Sequence, residues 1–282
     1  MSEPQSPVSQ SPKVFTAALR IFDLSLGEML WSRRTIFMAL IVGGPVALAL
    51  AFRTLEVFGI SPMRINGVRV GGPAIFGILI WFLYVKFIVP VLGVFYGTAL
   101  IADEVDDRTI TYLFTRPIPR GAVLLGKYLA YLVCTVLVVL PSVVLVFFLI
   151  VPIGAGSIAS SFPALVSDLA LLGLGLVVYG ALFAFVGAWL KRPLVIGLVF
   201  VFGWEQGVLL VPGYLKKLTV AHYLQGLVPH AMPQEGLTSL LQAILQDNPS
   251  VLVSVSWLLL ICVVCLALAA YAVSRREYVL EQ

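Results

Sequence analysis

Residues 103–120 read Asp103-Glu104-Val105-Asp106-Asp107-Arg108-Thr109-Ile110-Thr111-Tyr112-Leu113-Phe114-Thr115-Arg116-Pro117-Ile118-Pro119-Arg120. This segment is the densest block of charge in a chain of 282 residues that is 60% hydrophobic and 11% charged. Long apolar segments lie on both sides of it. A charged segment in that position is typical of a water-exposed connection between two membrane spans, because charged side chains are costly in hydrocarbon.

The first half of the segment has the features of a short helix. Four carboxylates fall within its first five residues, where the helix macrodipole favours negative charge. Glu104 precedes Arg108 by four residues, which is the favourable order for a helical ion pair. Pro117 and Pro119 then end the helix, because the residue before a proline avoids the α region. We therefore predict a short charged helix, held parallel to the membrane by a span at each end.

Residues 103–120 also carry side chains that are common at contact surfaces. The acidic half would be repelled by an anionic inner leaflet, so lipid is a poor partner for it. Tyr112, Leu113 and Phe114 lie close to Arg116 in the sequence, a combination found at protein interfaces. We interpret the segment as a docking element, and a solvated loop is the alternative.

The composition excludes a soluble protein. A mean hydropathy of +1.04 means more apolar surface than a soluble domain can bury. The pI of about 9.0 does not indicate nucleic-acid binding, because the basic residues cluster at the ends of apolar segments. The three cysteines, Cys134, Cys262 and Cys265, lie inside apolar segments and lack the polar, accessible surroundings of a redox site.

Hydropathy predicts an all-α polytopic membrane protein with six transmembrane helices. Residues 1–12 are predicted to be a disordered tail, and residues 13–282 form one transmembrane domain. An amphipathic helix from Val14 to Trp31 lies in the inner interface or packs against a partner's helix. A long outer loop, 212–250, contains a second amphipathic helix around residues 237–245. The spans are residues 35–52, 73–101, 128–151, 164–190, 194–211 and 251–273.

The basic residues predict that both termini lie on the cytoplasmic side. Inner segments hold twelve Lys and Arg residues and outer segments hold five, with Lys86 inside a span. This asymmetry follows the positive-inside rule, and the opposite orientation would reverse it. The inner residues are Lys13, Arg20, Arg33, Arg34, Arg108, Arg116, Arg120, Lys127, Lys191, Arg192, Arg275 and Arg276. The outer residues are Arg53, Arg64, Arg69, Lys216 and Lys217.

The charged segment and the residues after it resemble the cytoplasmic loop of ABC-2 type transporter permeases. The resemblance is carried by Glu104-x-x-Asp107-Arg108-Thr109-x-x-Tyr112-Leu113-x-Thr115-Arg116-Pro117-Ile118-x-Arg120, followed by Leu125-Gly126-Lys127. In that family an acidic residue, a Thr-x-x-x-Leu core, a Pro and a downstream Gly-Lys precede the third span. The sequence departs from the commoner form at Asp107-Arg108-Thr109, where many relatives have a Gly before the Thr, so the subfamily is open.

The resemblance implies that the segment between spans two and three is a cytoplasmic coupling helix, which sits in a groove of a separate ATP-binding cassette subunit. ATP and Mg²⁺ would bind in that partner, and this chain would hold no cofactor. A second permease subunit, identical or different, would pair with it in the bacterial inner membrane. The resemblance does not say what ATP hydrolysis drives. Export of lipid-like, peptide or polysaccharide cargo and mechanical work on an envelope protein are both compatible with it. The implied docking residues are Glu104, Asp107, Arg108, Thr109, Tyr112, Leu113, Arg116, Pro117 and Arg120.

The sequence gives no indication that this chain is itself an enzyme. Gly121-x-x-x-x-Gly126-Lys127-Tyr128 nearly matches a phosphate-binding loop, but Tyr stands where Ser or Thr must reach Mg²⁺. An intramembrane protease would need a nucleophile and a base at one depth, and no predicted span contains His. His222 and His230, in the outer loop, make a weak metal site. A membrane anchor that transports nothing remains an alternative to the permease.

Three ionisable residues lie within or near the predicted spans: Lys86, Asp168 and Glu205. Such residues usually face a partner or a wet cavity. Lys86 and Glu205 lie at similar depths by residue count, so we hypothesise that they form an ion pair. Separate snorkelling or bonding to the backbone is the alternative. Asp168 lies near the outer end of its span, where solvation at the interface is expected.

Small residues recur at four-residue spacing in three spans. The patterns are Gly93-x-x-x-Gly97, Gly203-x-x-x-Gly207 and the ladder Gly180, Ala184 and Ala188. Such spacing predicts close packing of helices and does not by itself specify a dimer.

Overall fold

The computed structural model describes residues 14–30, 33–60, 64–65, 68–101, 120–208, 214–229 and 250–275. The predicted tail, the coupling helix up to residue 119 and the amphipathic helix around 237–245 lie outside these ranges. The described chain is all-α apart from a small hairpin, in which β1 (Arg64–Ile65) pairs antiparallel with β2 (Val68–Arg69). The helices are α1 (Val14–Leu30), α2 (Arg33–Val57), α3 (Gly72–Ile101), α4 (Arg120–Ile150), α5 (Ile158–Trp189), α6 (Pro193–Val208), α7 (Val220–Gln225) and α8 (Val251–Arg275).

Five helices are long and apolar enough to cross a membrane by themselves. They are the stretches Thr35–Val57, Gly72–Ile101, Gly121–Ile150, Ile158–Trp189 and Val251–Ser274. The remaining predicted span, 194–211, corresponds to α6, a shorter apolar helix. The structure thus confirms a polytopic helical protein with five candidate spans, and the count of six stays a prediction.

The C-terminal end of α2 extends further than hydropathy predicts. The helix runs to Val57, past Phe52, because polar side chains stabilise its last turn. Arg53 Nη1 and Glu56 Oε2 form an ion pair at 2.8 Å, and Glu56 Oε1 accepts a 2.8 Å hydrogen bond from the Gly154 N–H. Glu56 therefore joins the end of α2 to the turn between α4 and α5.

The first helix packs within its own chain. Helix α1 lies along α4, and Leu26 and Met29 pack against the core, whereas Leu19 remains 43% exposed. Thr35 donates a side-chain hydrogen bond to the Met29 carbonyl, which fixes the start of α2 against the end of α1. A helix is present at the predicted position, and its amphipathic character and its place in the membrane interface stay predictions.

Helix α5 is the centre of the bundle and contacts α3, α4, α6, α7 and α8. Two tyrosines of α4 donate to its backbone: Tyr128 to the Val177 carbonyl at 2.7 Å and Tyr131 to the Leu176 carbonyl at 3.0 Å. Buried hydroxyl groups need such partners, because an unpaired one is costly in an apolar interior. These bonds fix the rotation of α4 about α5.

Glycines set the distance between α3 and α5. A Cβ at Gly93 would lie 2.8 Å from Tyr179 Cβ, and one at Gly97 would lie 2.9 Å from Phe183 Cβ. Neither distance is compatible with a side chain, so the two backbones approach as closely as the Gly-x-x-x-Gly pattern predicts. Gly203 and Gly207 of α6 differ, since no atom outside their own helical turn lies within 4 Å of a Cβ built there.

Helix α3 contains wide π-helical turns at Ile80–Ile88 and Gly93–Gly97, and α6 contains one at Phe200–Glu205. The first lies directly before Pro90, which has no N–H to donate to the Lys86 carbonyl four residues earlier. The side-chain amide of Gln206 donates to that carbonyl at 3.3 Å instead. Turns of this kind are rare and often occur at functional sites. Here they bring α3 and α6 together around Lys86 and Glu205.

Candidate functional site

The predicted docking segment lies almost wholly outside the described residues. Glu104, Asp107, Arg108, Thr109, Tyr112, Leu113, Arg116 and Pro117 are in this undescribed part, and Arg120 begins α4 without a described side chain. The structure does describe the two helix ends that flank the segment. Ile101 at the end of α3 and Leu124 in the first turns of α4 are buried. Gly187 of α5 leaves room for the backbone of Thr98, whose carbonyl oxygen would lie 2.4 Å from an added Cβ. The helix ends on both sides of the segment are therefore packed in the bundle.

A buried carboxylate, Glu205, is the polar centre of the described bundle. Its side chain belongs to the π turn of α6 and is 1% exposed. Oε1 accepts a hydrogen bond from the Val220 N–H at 3.1 Å, and Oε2 accepts from the Ala221 N–H at 3.0 Å. Oε2 also accepts from the Tyr179 hydroxyl at 3.1 Å. Three donors from two other elements thus converge on one carboxylate.

The two N–H donors come from the first turn of α7, where helical geometry leaves backbone N–H groups without an intrahelical acceptor. Thr219 caps this helix: its Oγ1 accepts from the His222 N–H at 3.4 Å. Carboxylates are favoured acceptors at such a position. Glu205 therefore provides the hydrogen-bond acceptors for the Val220 and Ala221 N–H groups that water provides at an exposed helix end.

This arrangement places α7 deep in the bundle. Glu205 lies twelve residues beyond Pro193, or about 18 Å along a helix axis from the start of α6. Val220, Ala221, Tyr223 and Leu224 are all buried. Residues 220–225 of the predicted outer loop 212–250 therefore pack into the bundle, where the acceptor at Glu205 compensates the polar helix start. The side of the membrane on which this loop lies stays a prediction.

The hypothesised ion pair between Lys86 and Glu205 is not present. Lys86 Nζ lies 5.1 Å from the ring centre of Trp81 and 5.2 Å from that of Phe82. The carboxylate oxygens of Glu205 instead accept hydrogen bonds from the Tyr179 hydroxyl and from two backbone N–H groups of α7. Helices α3 and α6 are connected here instead by the hydrogen bond from the Gln206 side chain to the Lys86 carbonyl.

Asp168 is also placed differently from the prediction. We expected solvation at the outer interface, but the side chain is fully buried in α5. Helix α5 begins at Ile158, six residues before the predicted span, so Asp168 lies ten residues inside the helix, where the surrounding helices bury it. Leu165 and Leu171, three residues before and after Asp168 in the same helix, are also buried.

The sequence did not predict several residues of the site. Tyr179 is 26 residues from Glu205 in the sequence, and apolar residues surround it, so it has the pattern of an ordinary core residue. The donors at Val220 and Ala221 are backbone groups, which no side-chain pattern reveals. Gln206 had one available signal: it is a polar residue beside Glu205 in a predicted span.

The described residues contain no cluster of three or more His, Cys, Asp or Glu that could hold a metal ion. His222 packs edge-on against Tyr223 in α7, and the centres of the two rings are 5.3 Å apart. His230 lies outside the described ranges. The described site is therefore a set of hydrogen bonds between helices.

Comparison with known proteins identifies the family. The sequence matches the family described as ABC-2 family transporter protein over residues 4–278. A comparison with curated proteins finds no match for it. The family match covers nearly the whole chain, and the structure supplies the apolar helices that a membrane component of a transporter requires. The chain therefore belongs to the ABC-2 family of transporter membrane proteins.

Proposed function

We propose that this chain is the permease subunit of an ABC-2 transporter and couples ATP hydrolysis in a separate subunit to export or to work on the cell envelope. The observation that carries the proposal is the family match over residues 4–278. The position of the charged segment 103–120 between α3 and α4 supports it. In this proposal the segment is the coupling helix, the partner binds ATP and Mg²⁺, and a second permease subunit completes the transporter in the bacterial inner membrane.

The packing of the flanking helices supports a rigid-body mechanism. A force applied to the segment reaches α3 and α4 directly, because the segment connects Ile101 at the end of α3 to Arg120 at the start of α4 along the chain. The close contacts of Gly93 and Gly97 with Tyr179 and Phe183 then pass the displacement to α5. Packed helices of this kind shift as units. Movement of the partner subunit would thus move the centre of the bundle.

The hydrogen bonds of Glu205 give the moving bundle a connection that can break and re-form. Tyr179 belongs to α5, Glu205 to α6, and Val220 and Ala221 to α7. A displacement of α5 against α6 changes the distance between the Tyr179 hydroxyl and the carboxylate. We propose that this junction holds one of the two access states.

The test is assembly with the ATP-binding subunit. The full-length chain is purified from native membranes under mild conditions, and we expect an ATP-binding cassette protein to co-purify and to hydrolyse ATP faster in the assembly than alone. Reversal of charge at Arg108 and Arg116 to Glu should abolish co-purification, because charge complementarity stabilises the docking. The matched control reverses Lys216 and Lys217, which are predicted to lie on the outer side.

The alternative function is an anchor that positions a partner complex without transport. An assembly that lacks an ATP-binding subunit in every preparation would favour the anchor and would contradict the permease. Equal co-purification of the Arg108 and Arg116 variant and of the wild type would contradict the assignment of the docking segment.

A further inference from the structure

We propose that Lys86 and the aromatic residues around it form a binding site for cargo, and that this cargo is an amphiphile with an anionic headgroup and an acyl chain. The site consists of Lys86, Trp81, Phe82 and Phe87 of α3 with Phe202 of α6. The inference rests on the proposed transport function, and it concerns which class of molecule is moved.

The first argument is the depth of the charge. Lys86 lies fourteen residues from Gly72 and fifteen from Ile101, which is about 21 Å from either end at the rise of a helix. A lysine side chain is much shorter than that distance, so it does not bring its ammonium group to either end of the span. Ionisable residues kept at this depth usually mark a path for a substrate or an ion.

The second argument is that no described carboxylate forms an ion pair with Lys86. Glu205 is the nearest candidate along α6, and its oxygens are directed at Tyr179, Val220 and Ala221. The ion pair of Arg53 with Glu56 lies at the C-terminal end of α2 and does not involve Lys86. An anion from outside the protein is therefore the partner that charge complementarity requires.

The third argument is the position of the ammonium group at the edge of the protein. Trp81 is 3% exposed, whereas Phe82 is 54% exposed, and Lys86 Nζ lies close to both rings. The group therefore sits between the bundle and the membrane-facing surface. Contacts with aromatic rings stabilise a cation there without neutralising it.

The fourth argument is the apolar surface next to the charge. Phe87 and Phe202 are 42% and 48% exposed, and their ring centres are 6.1 Å apart across α3 and α6. Exposed rings beside one cation fit a ligand with an acyl chain beside one anionic group. The hydrogen bond from Gln206 to the Lys86 carbonyl holds the two helices together at this point.

The experiment measures binding to the full-length chain alone, in nanodiscs of zwitterionic phosphatidylcholine. The probe is doxyl-labelled stearate at a pH at which its carboxyl group is ionised, and its methyl ester is the neutral control. Electron spin resonance reports the immobilised fraction of each probe. We expect the wild type to prefer the acid to the ester, and Lys86→Gln to reduce that preference about fivefold, a change of ~1 kcal/mol for one charge.

Three further variants decide the interpretation. Lys86→Arg keeps the charge and should keep the preference, and Lys217→Gln removes an exposed lysine elsewhere and should leave it unchanged. Phe82→Ala, at an exposed position, should weaken the binding of both probes because it removes apolar contact. It also provides the test if Lys86→Gln does not fold.

A preference for the acid that survives in Lys86→Gln would overturn the proposal, and so would equal binding of acid and ester by the wild type. Loss of the preference in Lys217→Gln would show a general effect of surface charge and would also overturn it. The ATP-binding subunit is not needed for this measurement. Failure here thus leaves the test of docking intact, and failure of docking leaves this result intact.

Discussion

The Tyr179 hydroxyl donates a hydrogen bond of 3.1 Å to Oε2 of Glu205, and this bond joins α5 to α6 inside the bundle. The same oxygen accepts from the Ala221 N–H, so a single carboxylate connects α5, α6 and α7. The position of α7 at the middle of the bundle depends on this acceptor, because backbone N–H groups buried without a partner are costly.

The first prediction concerns Glu205→Gln. The carboxamide has one acceptor oxygen and places N–H groups where Val220 and Ala221 also present donors. We expect the free energy of unfolding to fall by about 2 kcal/mol, the range for hydrogen bonds to a charged group. Thermal unfolding in detergent, monitored by size-exclusion chromatography of the folded fraction, measures the change. Glu56→Gln is the control, since that side chain is 30% exposed, its carboxamide oxygen can still accept from the Gly154 N–H, and the exposed ion pair that it loses contributes little. Equal stability of Glu205→Gln and wild type would contradict the role of the carboxylate.

The second prediction concerns Gly180→Ala. A Cβ at this position would lie 2.1 Å from Tyr131 Cε1, and the ring cannot move away without losing its bond to the Leu176 carbonyl. We expect destabilisation of about 1–3 kcal/mol from overpacking. Gly173→Ala in the same helix is the matched control, because a Cβ there meets no atom within 4 Å. If the two variants unfold at the same temperature, the close contact of α4 with α5 is wrong.

The third prediction concerns Tyr84 and Ser142, whose hydroxyl groups lie 3.0 Å apart in the interior. Ser142 Oγ also donates to the Val139 carbonyl at 2.7 Å, so Tyr84 is the donor to Ser142. A double-mutant cycle of Tyr84→Phe and Ser142→Ala should give a coupling of about 0.6 kcal/mol, typical of polar pairs between membrane helices. No coupling would show that the two hydroxyl groups have independent partners.

The fourth prediction links Pro90 to Gln206. Pro90 leaves the Lys86 carbonyl without its α-helical donor, and Gln206 supplies one. We expect Gln206→Ala to destabilise the wild type by about 1 kcal/mol and to cost less in a Pro90→Ala background, where residue 90 regains an N–H. Equal costs in both backgrounds would contradict the compensation of Pro90 by Gln206.

Hydropathy predicted most of the described fold, because membrane spans must be long, apolar and helical. The orientation predicted from the basic residues stays a prediction. The five long helices agree with predicted spans, although the boundaries differ where polar groups extend a helix, as Glu56 does for α2. The site was predicted less well. Lys86 and Glu205 lie in apolar helices as expected, but the ion pair hypothesised between them is absent, and their position within the membrane stays a prediction.

The reason for the failure is the nature of those partners. Two of the three donors to Glu205 are backbone N–H groups of α7, and their position depends on how a polar loop folds back into the bundle. Burial of Asp168 depends likewise on where α5 begins and on the helices that pack against it. A sequence pattern gives the depth of a residue, whereas its partners depend on helix rotation and packing.

The last prediction tests on which side of the membrane the charged segment lies. Arg108→Cys should react with a membrane-impermeant maleimide only after spheroplasts are permeabilised, because the excess of basic residues places this segment inside. Ser250→Cys, at an exposed position directly before α8, should react in intact spheroplasts. The native cysteines provide a silent background, since Cys134, Cys262 and Cys265 are all buried. Labelling of Arg108→Cys from outside would place the segment beyond the reach of any cytoplasmic ATP-binding subunit. The permease proposal would then be lost, whereas the hydrogen bonds around Glu205 would still stand.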